Sequence, residues 1–215
     1  MNHKVTVIDY GVGNLMSVGR AIEYCGAEIA VTDDPRKIAE AERLILPGVG
    51  AFADGMAGLR ERGLVDVIRE YATSGRPFMG ICLGMQMMMD QSEEFGLHEG
   101  LGLIPGHVSA IPDTTLQGAP HKIPHIGWNE LCLPQGRENW DGGMMEGLPH
   151  PSTVYFVHSY AVIPQNSEHV LAVSYYNGRQ VTAAIQSGAV CGCQFHPEKS
   201  GKAGLHILQK WLSQN

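Results

Sequence analysis

The stretch that decides the fold is PFMGICLGMQMMM, residues 77–89. Its first part, PFMGI, has the length and composition of a buried strand, and from Leu83 the apolar spacing becomes helical. Between them lies GICLG (80–84), in which Cys82 has a glycine two positions before it and another two positions after it. A strand that passes through a tight turn into a helix is typical of a parallel sheet covered by helices. The stretch therefore predicts an α/β fold.

The first half of the chain repeats this alternation of strand and helix. Alternation of this kind predicts a parallel sheet with right-handed crossovers. The predicted strands are VTVID (5–9), EIAVT (28–32) and RLILP (43–47). The predicted helices are one over residues 14–25 and one that carries Met56, Leu59, Val67, Ile68 and Tyr71 and ends near Gly75.

The second half is richer in short β-type runs. These are GWNELCL (127–133), STVYFVHSY (152–160), VLAVSYY (170–176), RQVTAAIQ (179–186) and AVCGCQF (189–195). Asn177-Gly178 between two such runs is a hairpin signal, and residues 201–214 have the apolar spacing of a closing helix. We predict one domain over 1–215, an open, mostly parallel sheet flanked by helices with additional antiparallel strands in the second half.

Composition excludes several classes of function. The net charge is −7 and the fifteen basic residues are scattered, so a nucleic-acid surface is not expected. The start has no signal-peptide core and no apolar run is long enough to cross a bilayer, and five cysteines without framework spacing predict a reduced, cytoplasmic compartment. Cys191-Gly192-Cys193 fits no common zinc spacing, and both thiols would point into a core. We predict neither metal nor cofactor.

Cys82 sits where a strand turns into a helix. Small residues two before and two after it match a nucleophile elbow. The helix N-terminus beneath such a cysteine favours the thiolate, and free backbone N–H groups at the turn can receive an oxyanion. A small buried cysteine at an ordinary strand end would produce the same local pattern.

A second signal is CQFHPEKS (193–200), in which His196 falls at the end of a predicted strand. Ligands of open α/β sheets bind at this edge, and Glu198 is near enough in sequence to orient the imidazole, as the third member of a triad does. The chain has ten histidines, so an ordinary structural histidine is the alternative. The pairing with a cysteine at another strand end favours the catalytic interpretation.

A third glycine-flanked strand end is LPGVGAFADG (46–55). It is either a simple helix-entry turn or a loop that supplies a backbone donor beside the cysteine.

Taken together, PGVG, GICLGMQ and QFHPEKS resemble the class I (triad) glutamine amidotransferases, in the order and separation typical of that family. The resemblance spans essentially the whole chain. It implies a glutaminase with Cys82 as nucleophile, His196 as general acid and base, and Glu198 orienting the imidazole. The backbone N–H groups of Leu83 and Val49 are then expected to form the oxyanion hole.

The same resemblance assigns further residues. It implies that L-glutamine is bound by Gly50, Gln86, Ser159 and Tyr160. The methionines around Gln86 are instead predicted to form the buried face of their helix, from the spacing of Met85, Met88 and Met89.

Three other stretches, YGVGNLMS (10–17), KIPHIGWNEL (122–131) and YFVHSYAV (155–162), resemble the branch of the family that serves histidine biosynthesis. In that branch the ammonia acceptor is a separate cyclase subunit with a (β/α)8-barrel fold, so the resemblance implies a heterodimer. It places Asn14, Trp128 and Lys199 at the interface. A helix N-cap, a core aromatic and a solvated charge are their respective alternatives.

Three other functions use the same residues or fold. A stand-alone γ-glutamyl hydrolase or cysteine peptidase would use the same triad without a partner. Another class I subunit could serve pyridoxal phosphate or purine synthesis. A non-catalytic binding module is the third, and the intact triad argues against it.

Overall fold

The structure is a computed structural model that describes residues 3–140 and 142–214. Its strands are β1 (Lys4–Ile8), β2 (Glu28–Thr32), β3 (Arg43–Leu46), β4 (Phe78–Ile81), β5 (Gln91–Ser92), β6 (His98–Glu99), β7 (Gly106–Ala110), β8 (His125–Glu130), β9 (Thr153–His158), β10 (Tyr160–Pro164), β11 (Val170–Tyr176), β12 (Arg179–Ser187) and β13 (Val190–Cys193). Its α-helices are α1 (Leu15–Tyr24), α2 (Pro35–Ala39), α3 (Phe52–Glu61), α4 (Val65–Thr73), α5 (Leu83–Met87) and α6 (Gly201–Leu212), with short 3-10 helices at Ser167–His169 and Pro197–Lys199.

The main sheet has seven strands in the order β11-β12-β13-β4-β3-β1-β2. The five strands from β13 to β2 are parallel, and β12 and β11 extend the sheet in antiparallel pairing. A four-stranded sheet (β10-β7-β5-β6) and the pair β8-β9 lie outside this main sheet. The predicted fold class, a mostly parallel sheet with antiparallel strands from the second half, is confirmed.

Helices cover both faces of the parallel sheet, which explains why its central strands are apolar throughout. Every residue of β3 and β4 is buried. Because side chains alternate along a strand, Ile45 packs in the core beneath α1 and α6, whereas Leu44 and Leu46 pack in the core beneath α3, α4 and α5. The two cores hold the strand ends in fixed positions.

The single helix predicted across residues 56–71 is wrong: α3 and α4 are separate helices. Gly63 has φ of +64°, and its N–H bonds the Arg60 carbonyl while the Leu64 N–H bonds the Leu59 carbonyl. This is a glycine-type helix end, which the apolar periodicity did not reveal because Leu64 is itself buried. The helix α2 was not predicted.

Other local predictions are confirmed in whole or in part. Asn177 and Gly178 both have positive φ and join β11 to β12 as a two-residue hairpin turn. Met85, Met88 and Met89 are fully buried as predicted, but the prediction that all three form one face of the helix is wrong, because α5 ends at Met87 and the last two lie beyond it. Among the described residues, no helix is long and apolar enough to cross a membrane.

Candidate active site

Three neighbouring parallel strands bring the three sequence signals together. β4 lies between β3 and β13, with Gly80 paired to Leu46 and Ile81 paired to Cys193. Parallel strands end at the same sheet edge, so the residues that follow them are side by side. Cys82 follows β4, the loop with Val49 follows β3, and His196 lies shortly after β13.

Cys82 occupies a strained turn that the flanking glycines make possible. Its φ is 54° and ψ −112°, a conformation rarely adopted by non-glycine residues. A Cβ atom at Gly80 would lie 2.7 Å from the Met85 nitrogen, and one at Gly84 would overlap the Leu46 carbonyl oxygen. The turn therefore requires glycine at both positions. It holds Cys82, which is buried, at the N-terminus of α5.

His196 and Glu198 form a buried pair beside Cys82. The His196 Nδ1 lies 2.8 Å from the Glu198 Oε1, and the two side chains are only 2% and 1% exposed. Burial alone would lower the pKa of His196, but the interactions with Cys82 and Glu198 outweigh it and raise that pKa to about 9. The histidine is thus a cation near neutral pH, held by a carboxylate at Nδ1, while its buried Nε2 has no hydrogen-bond partner among the described residues.

A cavity of about 340 Å³ opens onto the cysteine and contains most of the predicted site residues. It also contains four residues that sequence reasoning missed: Glu94, Pro124, Val157 and His158. Its full lining is Val49, Gly50, Cys82, Leu83, Gln86, Glu94, Pro124, Val157, His158, Ser159, Tyr160 and His196.

Glu94 brings an acidic group to this cavity. One carboxylate oxygen accepts a hydrogen bond of 2.6 Å from the Phe52 backbone N–H, at the start of α3. The residue before that helix supplies no side-chain cap, so Glu94 provides the cap from a distant loop. The side chain is held in place and can present negative charge to a ligand.

A chain of side-chain amides connects the cavity wall to the sulfur. The Gln86 Nε2 donates to the Tyr160 carbonyl and to the Gln194 Oε1, both at 3.0 Å. The Gln194 Nε2 in turn lies 3.7 Å from the Cys82 Sγ. Gln194 is fully buried; in the sequence it is a polar residue between Cys193 and Phe195 and the first residue of the QFHPEKS motif, and no role was predicted for it.

Two buried histidines flank the same wall. The His158 Nδ1 donates to the Tyr160 carbonyl at 2.8 Å, and its Nε2 lies 3.0 Å from the His125 Nδ1. Burial lowers the pKa of His158 to about 3, despite the hydrogen bond to Tyr160. His158 is therefore neutral near pH 7, and His196 is the histidine of this wall that carries charge.

The glycines of the PGVG loop have different roles. A Cβ atom at Gly48 would lie 2.6 Å from the Tyr10 hydroxyl and 2.8 Å from the Leu83 Cβ, so this glycine allows the loop to pack against the elbow. Gly50 has φ of +99° with open space around it, so glycine is favoured there by the backbone conformation and not by a lack of space. Val49 between them is 41% exposed and faces the cavity.

The three predicted interface residues lie apart from the cavity lining. Asn14 caps α1, its side chain accepting from the Ser17 N–H at 3.4 Å, as the alternative interpretation proposed. Trp128 is 55% exposed and packs edge-on against Tyr155, so it is not a core aromatic. Lys199 is exposed.

Cys191 and Cys193 are buried in the core, where burial raises the pKa of both thiols.

Comparison with known proteins gives concordant results. The model of the family described as "Glutamine amidotransferase class-I" matches residues 6–214. "Imidazole glycerol phosphate synthase subunit HisH 1" of Legionella pneumophila (strain Lens) is 50% identical over 208 residues, covering 97% of this chain and 98% of its own. Subunit HisH of Geobacillus sp. (strain WCH70) is 46% identical over 209 residues, with coverage of 97% and 96%. Among solved structures, "Structure of PurLQS from Thermotoga maritima" matches with a TM-score of 0.73 at 22% identity, covering 99% of this chain and 98% of that one. This last likeness concerns the fold.

Proposed function

The chain belongs to the class I glutamine amidotransferases, and we propose that it is the glutaminase subunit of imidazole glycerol phosphate synthase. It hydrolyses L-glutamine to glutamate and ammonia and delivers the ammonia to a cyclase subunit in histidine biosynthesis. The observation that carries the proposal is Cys82 in its strained turn, with the buried His196–Glu198 pair at the neighbouring strand end. We further propose that residues 1–215 act as one glutaminase domain.

The first step is attack of the Cys82 thiolate on the side-chain carbonyl carbon of glutamine. A carbon–sulfur bond forms and the carbonyl oxygen gains negative charge. Leu83 and Val49 both line the cavity, and their backbone N–H groups are the proposed donors to that oxygen. One such donor is typically worth about 3–4 kcal/mol of barrier.

His196 then moves the protons. Its imidazolium donates a proton to the leaving nitrogen, so the carbon–nitrogen bond breaks, ammonia departs and a thioester remains. The neutral imidazole next takes a proton from water, which attacks the thioester and releases glutamate and the thiolate. Glu198, 2.8 Å from Nδ1, fixes the ring orientation and stabilises the imidazolium in both steps.

The cavity wall matches the amino-acid end of the substrate. The Glu94 carboxylate is a partner for the α-ammonium group, since it is the acidic side chain in the lining. The Gln86 Nε2 is already committed to Tyr160 and Gln194, which leaves its Oε1 to accept from the ligand. Gly50, Ser159 and Tyr160 complete the proposed glutamine site.

We propose a heterodimer with a (β/α)8-barrel cyclase, in the cytoplasm. The relatives' names support a subunit of a synthase. Trp128, Asn14 and Lys199 are the proposed contacts, and the exposed indole supports the first of them because aromatic side chains are enriched at interfaces. All five cysteines are free thiols, which is compatible with a reducing compartment.

The central test is Cys82→Ala. We expect this variant to lose glutamine hydrolysis while it still binds the cyclase, measured by ammonia release and by co-purification. Cys25→Ala is the matched control, since Cys25 contacts the Leu205 carbonyl and does not line the cavity, and it should retain wild-type activity. Ammonia release by Cys82→Ala at the wild-type rate would refute the assignment.

A second experiment separates this function from a stand-alone hydrolase. Ammonia release from free glutamine is measured for the chain alone, with the cyclase, and with the cyclase plus its nucleotide ligand. We expect very low activity alone and a strong rise in the complex, because an uncoupled glutaminase would waste glutamine. Equal rates in all three conditions would favour the stand-alone hydrolase.

A further inference from the structure

We propose that Gln194 is a positioning residue for the nucleophile, donating its side-chain N–H to the Cys82 sulfur and thereby favouring the thiolate. The inference rests on the proposed function only in taking Cys82 as the reacting group. It concerns a residue two positions before His196 that does not line the substrate cavity.

The direction of the Gln194 amide follows from its neighbours. The Tyr160 carbonyl can only accept a hydrogen bond, so the Gln86 group at 3.0 Å from it is the NH₂ donor. That same NH₂ lies 3.0 Å from Gln194, which must therefore present its oxygen there. The Gln194 NH₂ is left facing the Cys82 Sγ at 3.7 Å, so a hydrogen points at the sulfur.

Besides its interaction with the charged His196, the sulfur has two hydrogen-bond partners that compete with each other. The Val157 carbonyl, 3.9 Å away, accepts from the thiol S–H. The Gln194 N–H donates to the sulfur, and this hydrogen bond is stronger when the sulfur is charged. A donor to the charged form and an acceptor for the neutral form act in opposite directions on ionisation. Removing Gln194 leaves the interaction that favours the thiol.

The sheet register places Gln194 for this role. Ile81 pairs with Cys193, and the Cys82 N–H bonds the Cys193 carbonyl at 2.7 Å, so the next residue along the chain lies beside the cysteine. Gln194 is fully buried. A buried amide donor needs a partner, and the Cys82 sulfur is a partner of the Gln194 amide. An apolar side chain would fill the volume but not supply the donor.

The test measures how the reactivity of Cys82 depends on pH. Iodoacetamide alkylation rates are recorded from acid to alkaline pH for the full chain, with the partly exposed Cys25 and Cys132 replaced by serine in every protein compared. Gln194→Met keeps the approximate volume and removes the donor. We expect its midpoint to move upward by about one pH unit. Gln194→Asn, whose shorter amide does not reach the sulfur, should shift the midpoint in the same direction.

Gln186→Met is the matched control, because the Gln186 side chain donates to the Gly188 carbonyl and not to the Cys82 sulfur. It should leave the midpoint unchanged. Circular dichroism verifies that each protein is folded, and Gln194→Asn replaces Gln194→Met if the latter is not. An unchanged midpoint in either folded Gln194 variant overturns the inference. Because this assay uses neither glutamine nor a partner, failure of the glutaminase assay with a shifted midpoint would reject the function and leave this inference standing.

Discussion

Acid should destabilise the chain through His158, which the fold keeps neutral. Its Nδ1–H donates a hydrogen bond to the Tyr160 carbonyl, and its Nε2 faces the His125 Nδ1. Burial lowers the pKa of His158 from 6.5 to about 3. The unfolded chain takes up a proton near about pH 6.5, but the folded chain does not until much lower pH. Stability from this group is therefore present above about pH 6.5 and is lost as the pH falls towards 3.

The size of the effect follows from the same two values. At about pH 5, roughly 1.5 units below the unfolded pKa, the loss amounts to about 2 kcal/mol. His158→Asn should remove this pH dependence, while the asparagine amide can still donate to the Tyr160 carbonyl. Urea unfolding at about pH 5 and pH 7.5 measures the difference, as a shift of the midpoint at constant m-value. The pKa of His125 is also lowered, chiefly by burial, and that cause remains in His158→Asn although the contact between the two histidines is lost.

His150→Asn is the control for this prediction. His150 is half exposed and lies 3.6 Å from the Glu130 carboxylate at the surface, where such a pair contributes little. It should keep the wild-type loss between pH 7.5 and pH 5. If His158→Asn shows the same loss as the wild type, the argument is wrong. Lower stability of His158→Asn at both pH values reflects lost packing and does not bear on the argument.

Three further substitutions test the site. Gly84→Ala places a Cβ against the Leu46 carbonyl. It should lower the free energy of unfolding by about 1–3 kcal/mol or more, the usual cost of overpacking a core, and urea unfolding measures this loss. Glu198→Gln should lower the kcat of the complex by about 10²-fold or more, because His196 loses its carboxylate; an unchanged kcat would argue against the triad. Glu94→Gln should raise the KM for glutamine by about tenfold with little change in kcat, since it weakens a charged contact to the substrate. Steady-state rates of ammonia release at several glutamine concentrations separate the effect on KM from an effect on kcat.

The sequence predicted the parts of the site that follow buried strands. β3, β4 and β13 are short apolar runs ending in glycine, cysteine or histidine motifs, and parallel strands bring such ends to one edge. The sequence alone therefore predicts that Cys82, His196 and the PGVG loop lie close together. The strand alternation also predicted which thiols, Cys191 and Cys193, are in the core.

The residues that were missed come from segments without a periodic pattern. Glu94 lies between β5 and β6, strands of two residues each, and its helix-capping contact spans 42 positions along the chain. Gln194 and His158 look like isolated polar residues in apolar strands, where local sequence does not say whether they are partnered. The break between α3 and α4 was missed because Leu64 continues the apolar pattern through the glycine turn.

The geometry of the site depends on register between distant segments. Gln86 contacts Tyr160 at a separation of 74 residues and Gln194 at a separation of 108, and the Tyr160 carbonyl also accepts from His158. That carbonyl fixes Gln86, Gln86 fixes the Gln194 amide, and the amide faces the Cys82 sulfur. The substrate wall and the nucleophile are thus parts of one hydrogen-bonded unit, and a change in the position of Tyr160 would alter what the sulfur faces. The motifs identify the reacting groups, but long-range pairing sets their orientation, because each amide in this chain is oriented by the next.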